Sequence, residues 1–218
     1  MANDSTTGFG LRTSMALGNT PATSGQSEYK IESGLDVGIF KNNPVSLNDG
    51  GATAAEQGYL QDASFATTDD GGTGGASYTN ASHALLVGVF NGAFYIDNST
   101  SKPTFANSVA ASTTFGTDYN TGSTDGIGFV NDNPQQEYVV KADAAVTQAD
   151  IGTCFNVNNF TASDAKSGQS TVTLDITSAA ETKMFRVVGS ANEEGNKDLA
   201  AAGANIIVAW NSASNLYQ

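Results

Sequence analysis

The sequence predicts an all-β protein: an antiparallel β-sandwich or jelly-roll-like barrel with an extended N-terminal arm and little helix. Three observations predict it. Short apolar stretches alternate with polar residues at period two and are punctuated by Gly, Asn, Asp and Pro clusters, the pattern of many short strands joined by turns. Only 14% of the 218 residues are charged while 24 are glycine, so polarity comes from Ser, Thr, Asn and Gln rather than from the Glu, Lys and Arg that surface helices favour. The 11 Phe and 7 Tyr are too many for a disordered chain and suit a sheet core. A chain of this length buries roughly 70% of the surface it exposes when unfolded, enough for a core without disulfides.

Residues 1–27 are rich in Gly, Ser, Thr and Asn with only Phe9, Leu11, Met15 and Leu17 as scattered apolar residues. They read as an extended arm, either free or lying in a partner's groove with Phe9 and Leu11 as anchors and Arg12 as a charged tether. The β-rich domain then occupies 28–218. Strand signals begin at Glu28–Ile31, where Tyr29 and Ile31 alternate with polar neighbours, and continue at Val37–Phe40 and Val45–Leu47. Residues 66–83 carry too much glycine for regular structure.

The stretch Leu85–Phe105 is the densest signal. Two apolar runs, LLVGVF and AFYI, flank Asn91-Gly92. Asn-Gly suits the two positive-φ positions of a type I′ turn, so a hairpin is expected there, the alternative being one long strand with a bulge at Gly92. A loop from Val109 to Asp125 follows, then strands at Ile127–Asn131 and Glu137–Lys141 separated by Asn133-Pro134. A helical turn is expected within Val146–Gly152, starting near Thr147. Further strands are expected at Cys154–Val157, Thr171–Ile176, Met184–Val188 and Ala204–Trp210, with a polar loop between Gly189 and Gly203.

The charge balance, 22 acidic against 9 basic residues, excludes the clustered cations that nucleic-acid phosphates require, so no nucleic-acid partner is expected. No apolar window reaches membrane-span length and the N-terminus lacks a basic segment followed by an apolar run, so neither membrane nor secretion is expected. Cys154 stands alone, which excludes an intramolecular disulfide and points to core packing. The cluster Gly71–Gly75 lacks the lysine and hydroxyl residue of a phosphate loop and reads as linker. His83 is the one histidine and reads as structural rather than as part of a triad. Asp69-Asp70 and Asn131-Asp132-Asn133 lack the spacing of a calcium loop and read as turn formers. No catalytic residue, cofactor or metal is therefore expected.

Three stretches carry a resemblance: Thr7-Gly8-Phe9-Gly10-Leu11-Arg12, then Gly88–Tyr95 followed by Lys102–Phe105, and Phe185–Gly189. In that order they resemble a family of tailed-bacteriophage virion proteins, particularly of marine and aquatic phages, similar to capsid cement or decoration proteins. Asn211–Ser214 departs from the more charged ending of that pattern. The resemblance implies a non-enzymatic protein, made in the host cytoplasm, that sits on the capsid exterior. Its partners would be the major capsid protein and copies of itself, as a dimer or trimer at local symmetry positions. Phe9, Leu11, Arg12 and Tyr29 are then the expected contacts. The alternative is a tail-fibre or receptor-binding module that holds host glycan on an exposed aromatic platform.

Overall fold

In a computed structural model, the described residues are 3, 5–18, 20–22, 25–48, 58–63, 86–159, 163, 164, 166–177, 179–196, 198–212, 215 and 217. Among them the protein is all-β. Strands are numbered in chain order. One sheet runs β1 (Arg12–Ala16), β10 (Gln136–Lys141), β17 (Asn205–Trp210), β16 (Phe185–Ser190) and β11 (Cys154–Phe155), every pair antiparallel. The second runs β2 (Ser27–Ile31), β9 (Gly126–Asn131), β6 (Leu86–Ile96), β4 (Pro44–Leu47) and β5 (Leu60–Asp62), with β7 (Pro103–Ala106) added alongside β6. Three two-stranded ribbons complete the set: β3 (Ile39–Phe40) with β8 (Ser108–Val109), β12 (Val157–Asn158) with β15 (Thr173–Leu174), and β13 (Ser163–Asp164) with β14 (Gln169–Ser170). The arrangement is sandwich-like, and neither sheet closes into a barrel. The expected helical turn is a 3-10 turn at Gln148–Asp150, where Asp150 accepts hydrogen bonds from the Thr147 backbone N–H and hydroxyl at 2.7 and 2.8 Å.

Two cores form. The first fills the space between the sheets with Tyr138, Val140, Phe155, Phe185, Val187, Ile206, Val208 and Trp210, and receives Leu86 and Val89 from β6. Trp210 meets Tyr138 edge-on at 5.8 Å and Phe185 at 4.6 Å, and the buried Tyr138 hydroxyl donates to the Asn131 carbonyl at 3.3 Å, tying the first sheet to the second. The second core lies inside the curl of the second sheet and gathers Ile31, Val45, Leu60, Val87, Phe90, Ala93, Phe115 and Val130. Gly126 and Gly128 leave room for it: a Cβ at Gly128 would meet Leu60 at 2.8 Å and Ile31 at 3.1 Å, and one at Gly126 would meet the Phe115 ring at 2.8 Å.

Strand β6 walls both cores, and it corrects the hairpin expectation. The chain does not turn at Asn91-Gly92. It runs straight through, pairing with β9 on both sides of the dipeptide, with a register shift between Phe90 and Gly92. Asn91 does not take the positive φ that a type I′ turn needs, whereas Gly92 sits at φ +149°, a conformation that favours glycine. The bulged-strand alternative is the observed one. The turn comes later, at Asp97–Lys102, where Ser101 has φ +56° and Asp97 accepts from the Ser99 and Thr100 amides at 2.9 and 2.7 Å.

The described residues of the N-terminal segment are laid onto the body of the protein. β1 pairs with β10, and Leu11 is fully buried in the first core. The path before β1 is a close fit. A Cβ on Gly8 would meet the Thr171 carbonyl oxygen at 2.2 Å, and Gly10, at φ +74°, packs against Asn42. The Phe9 carbonyl accepts from the Asn42 and Gln169 side-chain amides at 3.1 and 2.9 Å, and Asn3 donates to the Asp198 carbonyl at 2.8 Å. Sequence periodicity misses β1 because an edge strand exposes Arg12, Thr13 and Met15, and it misses β7 because Pro103 opens that strand.

Gly8→Ala is expected to lower stability by about 1–3 kcal/mol through overpacking, and Leu11→Ala by about 2–5 kcal/mol through cavity formation. Gly189→Ala, where an added Cβ meets nothing within 4 Å, is expected to be nearly neutral. Urea unfolding midpoints at an unchanged slope check all three.

Candidate binding face

The four residues expected to touch a partner are engaged within the chain. Leu11 is a core residue, which removes its side chain from any partner and corrects that expectation. Phe9 is half-buried, with the Arg12 guanidinium 5.1 Å and the Lys141 ammonium 5.7 Å from its ring centroid. Arg12 pairs with Glu193 at the surface, an exposed pair of small energetic weight. Tyr29 packs against the second core while its hydroxyl donates to Asp132 at 2.9 Å and lies 2.6 Å from the Tyr217 hydroxyl. Burial, then the hydrogen bonds to Tyr217 and Asp132, hold the Tyr29 phenol far above its ordinary pKa, so it stays a neutral donor. The Asn131–Asn133 turn is likewise occupied: Asn131 faces the Tyr138 hydroxyl, Asp132 takes Tyr29, and Asn133 accepts from the Gln135 amide at 3.0 Å. Gly71–Gly75, Asp69-Asp70 and His83 lie outside the described residues. Among the described residues no three His, Cys, Asp or Glu side chains converge as metal ligands would.

What remains uncovered is one end of the second sheet. Paired residues share a sheet face. On the side that packs against the first sheet, β6 contributes Leu86 and Val89, and Val89 pairs with Asn131. Beyond that pair the same face continues through Gly92 and Phe129 to a row made of Phe105, Phe94, Ile127 and Lys30 on β7, β6, β9 and β2. The bulge at Asn91 decides this. Without it, Ala93 and Tyr95 would turn outward and Phe94 inward; with it, Ala93 and Tyr95 join the second core and Phe94 faces out. Phe105 is 76% exposed and its ring centroid lies 4.8 Å from that of the half-buried Phe94. Phe129 and Ile127 are half-buried behind them.

Polar groups fix the rim. Asp125 accepts from Lys30 at 2.8 Å and Tyr59 at 3.1 Å. Burial raises the Asp125 pKa, but the bonds from Lys30, Ser123 and Tyr59 outweigh it and the net shift is downward. At the tip, Asp97 takes the Ser99 hydroxyl at 2.6 Å and the Thr100 amide and hydroxyl at 2.7 and 3.0 Å, which bring its carboxyl down to about 2. The neighbouring loop is joined to this end by the Gly116 amide, which donates to the Ile96 carbonyl at 2.7 Å. That loop is closed over Asp118, which accepts from the Asn120 amide and the Thr121 hydroxyl, both at 2.9 Å, and it presents Tyr119 at 85% exposure. Edge-on docking is discouraged, because β7 is short and Pro103 offers no N–H, so the face rather than the edge is the available surface. Nothing in the sequence outside the bulge geometry marks Phe105 as exposed or Phe94 as turned out beside it, and the sequence reading missed them.

Comparison of the chain with protein-family models, with curated proteins and with solved structures finds no match in any of the three.

Phe105→Ala is expected to cost no more than about 1.5 kcal/mol of stability, since an aromatic stack is worth about 0.5–1.5 kcal/mol; calorimetry checks it. The Asp97 carboxyl is expected to titrate near 2 by carbon NMR. Its depressed value means that its stabilising bonds are fully present above the ordinary carboxylate range and are lost as pH falls toward 2.

Proposed function

We propose that the chain is a virion structural protein, a cement or decoration protein that binds the outer surface of a bacteriophage capsid and braces neighbouring major capsid subunits. The observation that carries this reading is the uncovered aromatic face at the end of a two-core β-body: a rigid surface suited to burial against another protein. The motif resemblance supplies the identity of the partner. The formal net charge of −13 suits a surface turned away from packaged DNA. Each contact is modest, and many identical copies on one shell, arranged as dimers or trimers at local symmetry positions, add their effects.

A second reading, a tail-fibre or receptor-binding module, is favoured by the same exposed Phe105 ring, because a sugar's apolar face stacks on such a platform. The two differ in ligand. Purified protein added to expanded capsids that lack it is expected to bind and to raise their melting temperature, and Phe105→Ser with Phe94→Ser is expected to weaken that binding at least tenfold. Failure to add to such capsids, or saturable binding to a glycan array that the same substitutions remove, would sink the cement reading.

A further inference from the structure

The outer face of the first sheet, away from both cores, holds a carboxylate without a counter-ion. Tyr138 and Val140 on β10 point into the first core, so Glu137, Val139 and Lys141 point outward. Glu137 is only 6% exposed, yet among the described residues no hydrogen bond or ion pair reaches its carboxylate. Its strand neighbours are mostly apolar. Across β17 it pairs with Ala209, itself buried, and on the β1 side the bulge between Thr13 and Ala16 sets Ser14 and Met15 opposite it. Gln136 pins that bulge by donating to the Met15 carbonyl at 2.9 Å. Met15 is 49% exposed, so the collar around Glu137 opens to solvent on the β1 side.

The cations on this face are turned elsewhere. Arg186 pairs with Ala209 from β16, two strands from Glu137, and donates to the Gly152 carbonyl at 3.3 Å. Arg12 on β1 goes to Glu193. Lys141 donates to the Ser5 and Gly203 carbonyls at 2.9 and 3.3 Å. The body of the side chain is buried while its carboxylate oxygens keep contact with solvent, so a charge from outside can reach them, and ionisable groups perturbed by burial concentrate at working sites. Burial accordingly raises the Glu137 pKa. A single carboxylate in an apolar collar is too poor in oxygen ligands to hold a divalent metal. It suits one long basic side chain, whose methylene stem lies on the collar while its head meets the charge.

We propose that Glu137 is the floor of a cation socket that receives a lysine or arginine side chain presented on an apolar surface of a partner protein. The socket gives the protein a second contact surface besides the aromatic face of the second sheet, and a brace between neighbours requires two. Naming a capsid subunit as that partner rests on the capsid-binding reading; the socket itself does not.

The socket is tested with n-butylguanidinium as probe and the uncharged n-butylurea as control, followed through the carbon NMR resonance of the Glu137 carboxyl, assigned with Glu137→Gln. A saturable shift with butylguanidinium that butylurea does not produce supports the proposal. A linear response, or equal responses to the two probes, overturns it. So does binding that appears only in Arg186→Ala, since Arg186 would then fill the socket in solution. On capsids, E137Q that keeps its circular dichroism spectrum is expected to bind at least tenfold more weakly than the wild type; equal binding removes the socket from the capsid contact while leaving the cement reading in place. Failure of the wild type to bind capsids sinks the cement reading, and the probe titration alone then decides the socket.

Discussion

The structure depends on β6 being a wall shared by two cores. A regular strand sends alternate residues to opposite faces, and β6 has to supply both the space between the sheets and the interior of the second sheet's curl. It does so with two irregularities. The register shift against β4 skips Val87, which lets Leu86 and Val89 reach the first core while Val87 and Phe90 reach the second. The shift against β9 skips Asn91 and turns Ala93 and Tyr95 inward. Each bulge reverses the parity of everything after it, so the outward facing of Phe94 and Phe105 is a consequence of core filling upstream. Gly88 belongs to the same constraint: a Cβ there would meet the Asn131 carbonyl oxygen at 2.2 Å, so β6 and β9 approach closely only because that position is bare.

The N-terminal strap shows how polar sequence can be built into a fold. Its residues offer little apolar surface apart from Leu11, and it is held instead by backbone fit and by side-chain amides that satisfy its carbonyls. Gly8 and Gly10 are required by that fit. The Gly-Phe-Gly spacing that stands out in the sequence is thus explained by packing against Thr171, Val172 and Asn42. Under the proposed capsid-binding reading, a neighbour is reached through the faces of the body, since the strap is already bound at home.

Electrostatics here work locally. Two salt bridges join described residues at the surface, Arg12–Glu193 and Lys30–Asp125. Other carboxylates are stabilised by nearby hydroxyls and amides, as at Asp97, Asp118, Asp150 and Asp164. This anchors short loops without lysine or arginine and keeps the tips of the second sheet in one shape. Glu137 stands apart from that pattern, a carboxylate in a strand rather than a turn, with apolar neighbours in place of donors.

The sequence by itself determined the fold class and most strand positions. Alternation at Glu28–Ile31 and the short apolar segments Ile127–Asn131, Glu137–Lys141 and Ala204–Trp210 are local signals and survive as strands in the fold. It also determined the short turn at Thr147–Asp150 and the core role of Cys154, which is buried. Tertiary structure decided the rest. Asn91-Gly92 carries the chemistry of a turn, yet β9 pairs along its whole flank and holds it straight. Leu11 and Arg12 look like an arm's anchors, yet β10 offers an edge and the first core a vacancy that only Leu11 fills. The outward facing of Phe94 and Phe105, and isolation of Glu137, depend on register between strands far apart in the chain, and register is a property of the partner strand as much as of the residue itself.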